Sequence, residues 1–273
     1  MYQNQLTLSI SQYSTKGRKK INQDFHDIRT PKEPLLSTKG IAIALADGIS
    51  SSQVSDIASK VAVTSFLEDY FSTPESWTVK TSAQRVLTAT NSWLYGQTRK
   101  NQSHLDKDRG YVCTFSALVI RSTTAYIFHA GDARIYRLRN NNFEQLTEDH
   151  RLWVSQNESY LSRAFGMDSY LPIDHDHYGV EEGDIFLLMT DGVYEHVKKA
   201  FMQKVIVDND ASFEAIAKII VDQAYDNGSS DNLTLQLVRI DTLPGKNRDE
   251  MHLQLENKPF PPVLEAREHF DGY

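Results

Sequence analysis

The sequence predicts an α+β protein with mainly antiparallel sheets. Strand-like apolar runs follow one another at hairpin spacing between residues 114 and 138, which is typical of antiparallel pairing. Helical patterns occur in separate blocks and not after every strand, which argues against a doubly wound parallel sheet. Apolar residues make up 40% of the 273 residues and charged residues 24%, so the chain is long enough and apolar enough to bury a core.

Two strands and two helices are predicted in the first half of the chain. The strands span residues 6–12 and 41–46, and the helices span residues 55–71 and 81–97. The first strand alternates apolar and polar residues, whereas the second is almost continuously apolar and is expected to be buried. Apolar residues recur at helical spacing in both helices, and Ile57 and Trp93 belong to the faces expected to point inward.

The chain after residue 113 is predicted to be rich in strands. They span residues 114–120, 125–129, 135–138, 185–189 and 233–240, with one helix over 212–224. Gly228 marks the end of that helix. Residues 241–273 are polar, charged and proline-bearing, without a periodic apolar stripe. We therefore predict one domain over residues 1–240 and a polar tail or linker over 241–273.

Composition argues against several classes of function. Lys and Arg number 29 and Asp and Glu 36, a net charge of −7, which makes the chain a poor candidate for a nucleic-acid-binding protein. Neither a run of about 20 apolar residues nor a signal peptide is visible, so no membrane segment and a cytoplasmic location are expected. The single cysteine, Cys113, lies in an apolar run and is expected to be a buried, inert thiol.

Aspartates stand at the ends of several predicted strands. The series comprises Asp47-Gly48, Gly131-Asp132, Asp191-Gly192 and Asp231-Asn232, with Asp24 earlier in the chain. A carboxylate at the mouth of a buried strand is costly unless it is paired or binds a cation. Mg²⁺ and Mn²⁺ prefer such oxygen ligands, and two ions bridged by a water lower its pKa enough for hydrolysis. An Asp-Gly pair after a strand is, however, most often a simple turn, and spacing alone does not bring these residues together.

Three other hydrolytic chemistries fit the sequence poorly. A phosphoaspartate enzyme would need an Asp-X-Asp pair after its first strand, and Asp47-Gly48-Ile49 lacks it. No Gly-X-Ser-X-Gly motif for a serine nucleophile is present. The histidines are scattered, and His175 and His177 lie in a polar stretch where surface positions are expected in place of zinc ligation.

Taken in order, segments between residues 5 and 240 resemble the metal-dependent protein phosphatases of type 2C, the PPM family. Lys-Lys-Ile-Asn-Gln-Asp at 19–24 resembles the family's Arg-x-x-Asn-(Glu/Gln)-Asp motif. The other matching segments are Ala-Asp-Gly-Ile at 46–49 through Ala-Ser at 58–59, Ala-Gly-Asp-Ala-Arg-Ile-Tyr at 130–136, Gln-Leu-Thr-Glu-Asp-His at 145–150, Leu-Ser-Arg-Ala-Phe-Gly at 161–166, Leu-Leu-Met-Thr-Asp-Gly-Val at 187–193 and Ser-Asp-Asn-Leu-Thr at 230–234. The resemblance implies a four-layer α-β-β-α sandwich of two mainly antiparallel sheets flanked by helices.

The resemblance also implies a function and a set of site residues. The chain would be a phosphoserine/phosphothreonine protein phosphatase that uses metal-activated water in direct in-line hydrolysis. The implied ligands of two core Mn²⁺ or Mg²⁺ ions are Asp47, the Gly48 carbonyl, Asp191 and Asp231, with Asp132 joining Asp191 at a third ion. Gln23 would contact the site through water, and Asp24 would orient the groups around the metal.

The sequence departs from the family pattern at three places. Lys19 replaces the phosphate-binding arginine, so either weaker substrate anchoring or substitution by Arg18, one position away, is expected. Ile49 stands where some members carry a general acid, and Ser50–Ser52 replaces Gly-Gly-His. The segment between His150 and Leu161 is short where many relatives carry a longer flap. An alternative hypothesis is therefore a non-catalytic regulatory module that binds a phosphoprotein or a partner kinase.

A second resemblance concerns the C-terminal residues. Pro-Phe-Pro-Pro at 259–262 and Phe-Asp-Gly-Tyr at 270–273 resemble the junction in bacterial proteins that fuse this phosphatase to a Ser/Thr kinase. The expected partners are phosphorylated proteins and a Ser/Thr kinase in cis or trans. A terminus without regular structure is an equally good interpretation of this segment.

Overall fold

The computed structural model describes residues 5–100, 109–155, 158–208 and 212–245. The strands are β1 (Thr7–Thr15), β2 (Asp24–Arg29), β3 (Ile41–Asp47), β4 (Phe115–Arg121), β5 (Thr124–Ala130), β6 (Arg134–Arg139), β7 (Asn142–Gln145), β8 (Arg151–Ser155), β9 (Glu158–Leu161), β10 (Asp174–Gly179), β11 (Ile185–Met189) and β12 (Leu233–Thr242). The helices are α1 (Leu35–Lys39), α2 (Ser55–Ser72), α3 (Val79–Lys100), α4 (Asp191–Tyr194), α5 (Lys199–Asp208) and α6 (Ile216–Asp226).

Two five-stranded antiparallel sheets form the centre of the molecule. The first sheet has the order β1-β12-β11-β6-β7, and the second has the order β10-β5-β4-β3-β2. One apolar cluster fills the space between the sheets, a second packs α2 and α3 on the second sheet, and a third packs α4 to α6 on the first. The predicted α-β-β-α sandwich is confirmed.

Strand β3 shows why the sequence contains an almost continuous apolar run. Ala42, Ala44 and Ala46 face α2 and α3, whereas Ile43 and Leu45 face the other sheet, and all five are fully buried. Both faces of this inner strand are covered, so alternation between apolar and polar residues is absent and alternation between small and large residues replaces it. The strand is therefore a rigid support for the residues that follow it.

Two side chains expected inside the core are exposed. Ile57 is 45% exposed and Trp93 is 49% exposed, although both were expected to point inward. Successive residues of an α-helix are about 100° apart, and Ile57 and Trp93 directly precede the buried Ala58 and Leu94. A helix packed on a sheet buries one stripe, and these residues lie beside that stripe.

The two edge strands of the second sheet, β2 and β10, were not predicted. An edge strand has one neighbour and more solvent contact, so polar residues are tolerated in it and the apolar pattern is weak. Strand β10 carries His175 and His177, of which His177 is exposed and His175 is half-buried beside the Phe128 ring.

Cys113 is fully buried, and burial raises the pKa of its thiol, as expected for an inert cysteine.

The last strand of the fold ends close to the predicted domain boundary. Strand β12 ends at Thr242, and the predicted tail continues to residue 273. Residues 246–273, including the segment that resembles a kinase junction, lie outside the described residues. Among the helices described here, none is both long enough and apolar enough to cross a membrane.

Candidate metal centre

Strand pairing in the second sheet brings Asp24 and Asp47 together. Asp24 begins β2, Asp47 ends β3, and the antiparallel register places the two residues directly opposite each other. The backbone of Asp47 is held from the other side, because its N–H donates to Thr114 Oγ1 at 3.0 Å and its carbonyl accepts from the N–H of Thr114 at 2.8 Å. Both carboxylates therefore project from fixed backbone positions.

The first sheet supplies Asp191 and Asp231 in the same way. Asp191 follows the end of β11, and Asp231 precedes the start of the neighbouring strand β12. The N–H of Thr190 donates to the Thr234 carbonyl at 3.1 Å and joins the two strand ends. Gly192 lies so close to the carbonyl of Asn232 that any side chain at this position would overlap that oxygen.

Asp24 connects the two sheets. Its Oδ2 accepts hydrogen bonds from Thr234 Oγ1 at 2.6 Å and Thr190 Oγ1 at 3.1 Å, which both belong to the first sheet. Its Oδ1 is buried and has no hydrogen-bond partner in the described part of the chain. A carboxylate oxygen buried without a donor is unfavourable unless a cation or an ordered water satisfies it.

The electrostatics show that the aspartates have converged. We name Asp24, Asp47, Asp132, Asp191 and Asp231 the aspartate cluster. Burial, followed by the neighbouring carboxylates of Asp24 and Asp191, raises the pKa of Asp47 well above its usual value. Burial and then the charges of Asp132 and Asp231 raise the pKa of Asp191 to about 7. Burial is also the main cause that raises the pKa of Asp24 to about 6. Mutual repulsion of this kind is what bound cations remove.

Gly48 and Gln23 form the backbone support beside Asp47. The N–H of Gly48 donates to the Gln23 carbonyl at 3.1 Å. A Cβ at position 48 would lie 2.7 Å from the Ser55 carbonyl oxygen, so the site requires glycine. The Gln23 side chain donates to the Ser52 carbonyl at 2.9 Å and to Ser55 Oγ at 2.5 Å. These contacts fix Gln23 to the segment that begins α2.

The two basic residues of the first motif point in different directions. The Lys19 ammonium forms an ion pair with Asp231 and donates to Ser50 Oγ at 2.6 Å, so it lies at the edge of the aspartate cluster. The Arg18 guanidinium stacks on the Tyr225 ring at 3.9 Å and donates to the carbonyls of Tyr225, at 2.9 Å, and Ser229. The expectation that Arg18 substitutes for a phosphate-binding arginine is not supported, because its donors are directed at these backbone carbonyls.

Asp132 has a cationic partner that the sequence analysis missed. The Arg151 guanidinium contacts Asp132 and Asp191, and also reaches Glu195. The threonines that hold Asp24 were likewise missed as functional residues. A signal was available for the two threonines, since Thr190 and Thr234 lie within the matching segments at 187–193 and 230–234, whereas Arg151 lies just outside the segment at 145–150.

The residues present fit a site for divalent cations. The carboxylates offer oxygen ligands, and Oδ1 of Asp24 has no hydrogen-bond partner among the described residues. Gly48 has no side chain, so its backbone can lie close to a bound ion. Within the described residues, no three acidic, histidine or cysteine side chains already surround a single point at ligand distance. Repulsion between carboxylates and the presence of Lys19 and Arg151 among them explain that spacing.

Comparison with known proteins gives an independent result. Residues 12–237 match the family model described as Protein phosphatase 2C. The serine/threonine phosphatase stp of Listeria monocytogenes serotype 4b is 26% identical over 225 residues, which cover 76% of this chain and 87% of that protein.

Solved structures show the same fold. The serine/threonine phosphatase of S. agalactiae matches with a TM-score of 0.73 and 22% identity, covering 86% of this chain and 100% of that one. The catalytic domain of the serine threonine protein phosphatase PstP, in complex with 2 manganese ions, matches with a TM-score of 0.69 and 19% identity, covering 87% of this chain and 100% of that one.

Proposed function

The chain belongs to the protein phosphatase 2C family, and on that basis we propose that the aspartate cluster is the catalytic centre of a metal-dependent protein serine/threonine phosphatase. The observation that carries this assignment is the convergence of carboxylates from both sheets on one place, where a buried oxygen of Asp24 accepts from no donor within the described ranges. Buried, converging carboxylates are unfavourable if the Asp-Gly pairs are only turns, whereas they provide the oxygen ligands that divalent cations prefer.

The core metal ligands would be Asp47, the Gly48 carbonyl, Asp191 and Asp231. Bound Mn²⁺ or Mg²⁺ would neutralise these carboxylates and supply the activated water that attacks phosphorus. The third ion implied by the family resemblance would need Asp132, whose carboxylate is paired with Arg151 in the structure. Gln23 would act through water from its fixed position beside Gly48.

Residues around the ligands have positioning and binding roles. Asp24 is held by Thr190 and Thr234 across the two sheets and orients the groups around the ions. Lys19 places its ammonium at the edge of the cluster, where it would bind a phosphate oxygen as a point charge. Ile49 has no proton to donate, so water or the groups around the metal would protonate the leaving oxygen.

The test is metal-dependent hydrolysis of p-nitrophenyl phosphate and a phosphothreonine peptide. Wild type should turn over both substrates with Mn²⁺ or Mg²⁺ and neither substrate in chelator. Asp191→Ala should lose activity by at least about 10²–10³-fold, because preorganised electrostatic groups contribute that much to catalysis. Asp176→Ala is the matched control, since Asp176 is an exposed aspartate on β10 that lies outside the cluster.

Two outcomes would contradict the proposed function. Activity near wild type in Asp191→Ala, with the fold retained, would place the chemistry elsewhere. Absence of turnover in folded wild type with either metal would favour the non-catalytic regulatory module that binds a phosphoprotein or a kinase.

Partners and location follow as predictions from the same assignment. The substrates would be phosphorylated proteins, in keeping with the name of the Listeria relative, a serine/threonine phosphatase. A Ser/Thr kinase partner, in cis or trans, is proposed from the resemblance of residues 259–262 and 270–273 to a kinase junction. A cytoplasmic location stays a prediction of the sequence.

A further inference from the structure

Arg151 occupies the position between Asp132 and Asp191 where the family resemblance implies a third ion. We propose that Arg151 is a built-in cation that takes the place of this third ion, so that the site binds fewer divalent ions than it would without Arg151. This inference rests on the proposed metal centre. It concerns the number of ions that the chain itself requires.

Each donor group of the Arg151 side chain binds a different carboxylate. Nε donates to Asp132 Oδ2 at 2.5 Å, Nη2 to Asp191 Oδ2 at 2.8 Å and Nη1 to Glu195 Oε1 at 2.8 Å. The Arg151 side chain is only 15% exposed. A planar guanidinium with three separate carboxylate partners is held more firmly than a surface arginine with one partner.

The backbone keeps Arg151 beside Asp132. The residues that precede them, His150 and Gly131, are joined by two hydrogen bonds. The N–H of His150 donates to the Gly131 carbonyl at 2.8 Å, and the N–H of Gly131 donates to His150 Nδ1 at 3.0 Å. Asp132 is also held, since Tyr194 donates its hydroxyl proton to the Asp132 carbonyl at 3.0 Å. The ion pair therefore joins two positions that the fold already places together.

A divalent ion and the guanidinium exclude each other at this position. An ion shared by Asp132 and Asp191 would compete for the oxygens that accept from Arg151. It would also lie within a few ångströms of a positive charge, and like charges at that distance repel strongly in a partly buried site. Of the core carboxylate ligands, Asp47 and Asp231 make no ion pair with Arg151 in the described part of the chain. Asp191 gives Arg151 one oxygen, Oδ2, so the core ions meet this competition at Asp191 alone.

The experiment counts bound ions directly. Equilibrium dialysis against Mn²⁺, with the metal measured by atomic emission, should give one more Mn²⁺ per chain in Arg151→Ala than in wild type. The double variant Arg151→Ala/Asp132→Asn should return to the wild-type count, because the extra ion needs the Asp132 carboxylate. Arg163→Ala is the matched control, since it removes the same charge from a residue that pairs with Asp174.

A second readout protects the test against poor folding of the alanine variant. Arg151→Gln keeps most of the side-chain volume but not the charge, and Mn²⁺ should raise its melting temperature more than that of wild type. Arg151→Lys keeps the charge and should keep the wild-type ion count.

The results separate this inference from the proposed function. Equal Mn²⁺ counts in wild type, Arg151→Ala and Arg151→Gln would overturn the role of Arg151. A higher KM in these variants with an unchanged count would overturn it too and would make Arg151 a phosphate-binding residue. Wild type that binds Mn²⁺ but hydrolyses no phosphomonoester would instead contradict the phosphatase assignment. The comparison of Mn²⁺ counts would still test the role of Arg151 in that case.

Discussion

The two halves of the aspartate cluster neutralise their charge differently. In the half built from Asp24 and Asp47, the partners of Asp24 are hydroxyl groups and one of its oxygens has no partner among the described residues. In the half built from Asp132 and Asp191, a single guanidinium contacts both carboxylates. The first half depends on cations from solution alone, whereas in the second half a cation of the chain accompanies Asp132 and the core ligand Asp191.

This difference bears on how many divalent ions the site would bind and on what each kind of cation contributes. The five aspartates of the cluster lie at strand ends, and their mutual repulsion and burial oppose ionisation without positive charge. A mobile cation gives reactivity, because it contributes bound water as well as charge. An arginine gives charge and geometry alone, so Arg151 and Asp132 are expected to hold the core ligand Asp191 in place and not to take part in the chemistry themselves.

In this comparison the largest effect is expected when one aspartate of each half is replaced by asparagine. Asp24→Asn should lower kcat or raise the Mn²⁺ activation constant by roughly 10–100-fold, the usual range for residues that orient metal ligands. Asp132→Asn should cost less, because its carboxylate is already paired with Arg151. Steady-state kinetics over a Mn²⁺ titration would measure both variants. Losses of equal size, or a larger loss in Asp132→Asn, would show that both halves depend on added metal alike.

A smaller effect concerns stability in chelator. The pKa of Asp24 is raised to about 6 in the folded chain, against about 3.9 in an unfolded one, so the native state binds a proton more tightly. The resulting stability is complete below about pH 4 and is lost as pH rises through 6. We expect the free energy of unfolding to fall by a few kcal/mol between pH 4.5 and 8 without metal.

Urea unfolding at several pH values would measure this slope. Saturating Mn²⁺ should reduce it, because bound cations favour the ionised carboxylates. Asp24→Asn should make the slope smaller in chelator, and the raised pKa values of Asp47 and Asp191 should leave the remainder. Stability that instead rises with pH in chelator would mean that the buried carboxylates are already paired in the metal-free protein.

The smallest expected effect concerns Lys19, which pairs with Asp231 at the edge of the aspartate cluster. Lys19→Arg should lower KM for a phosphothreonine peptide a few-fold with little change in kcat, since a guanidinium binds phosphate oxygens in a bidentate manner. Lys20→Arg is the control, because Lys20 is exposed and makes no contact with the cluster. An unchanged KM in Lys19→Arg would mean that its ion pair with Asp231 outweighs any contact with phosphate.

The strand-end aspartates show how far the sequence could be interpreted. Each of them was identified because an apolar run or a known motif ended at a carboxylate, and buried strands reveal themselves by composition. Arg151 was missed because a single arginine after a motif looks like any surface arginine. Arg18 was misjudged for a related reason, since adjacent residues in a loop point in directions that sequence order does not fix.

The sequence by itself determined the layers of the fold, the family and the identity of the carboxylates. Burial and strand periodicity leave a local record in the order of residues, and ligand residues must keep their chemical type. The tertiary structure decided which aspartates lie close together. It also decided that Asp24 joins the sheets through Thr190 and Thr234 and that Arg151 lies between Asp132 and Asp191. These contacts join residues far apart in the chain, and their energies depend on distance and burial, which only the folded chain defines.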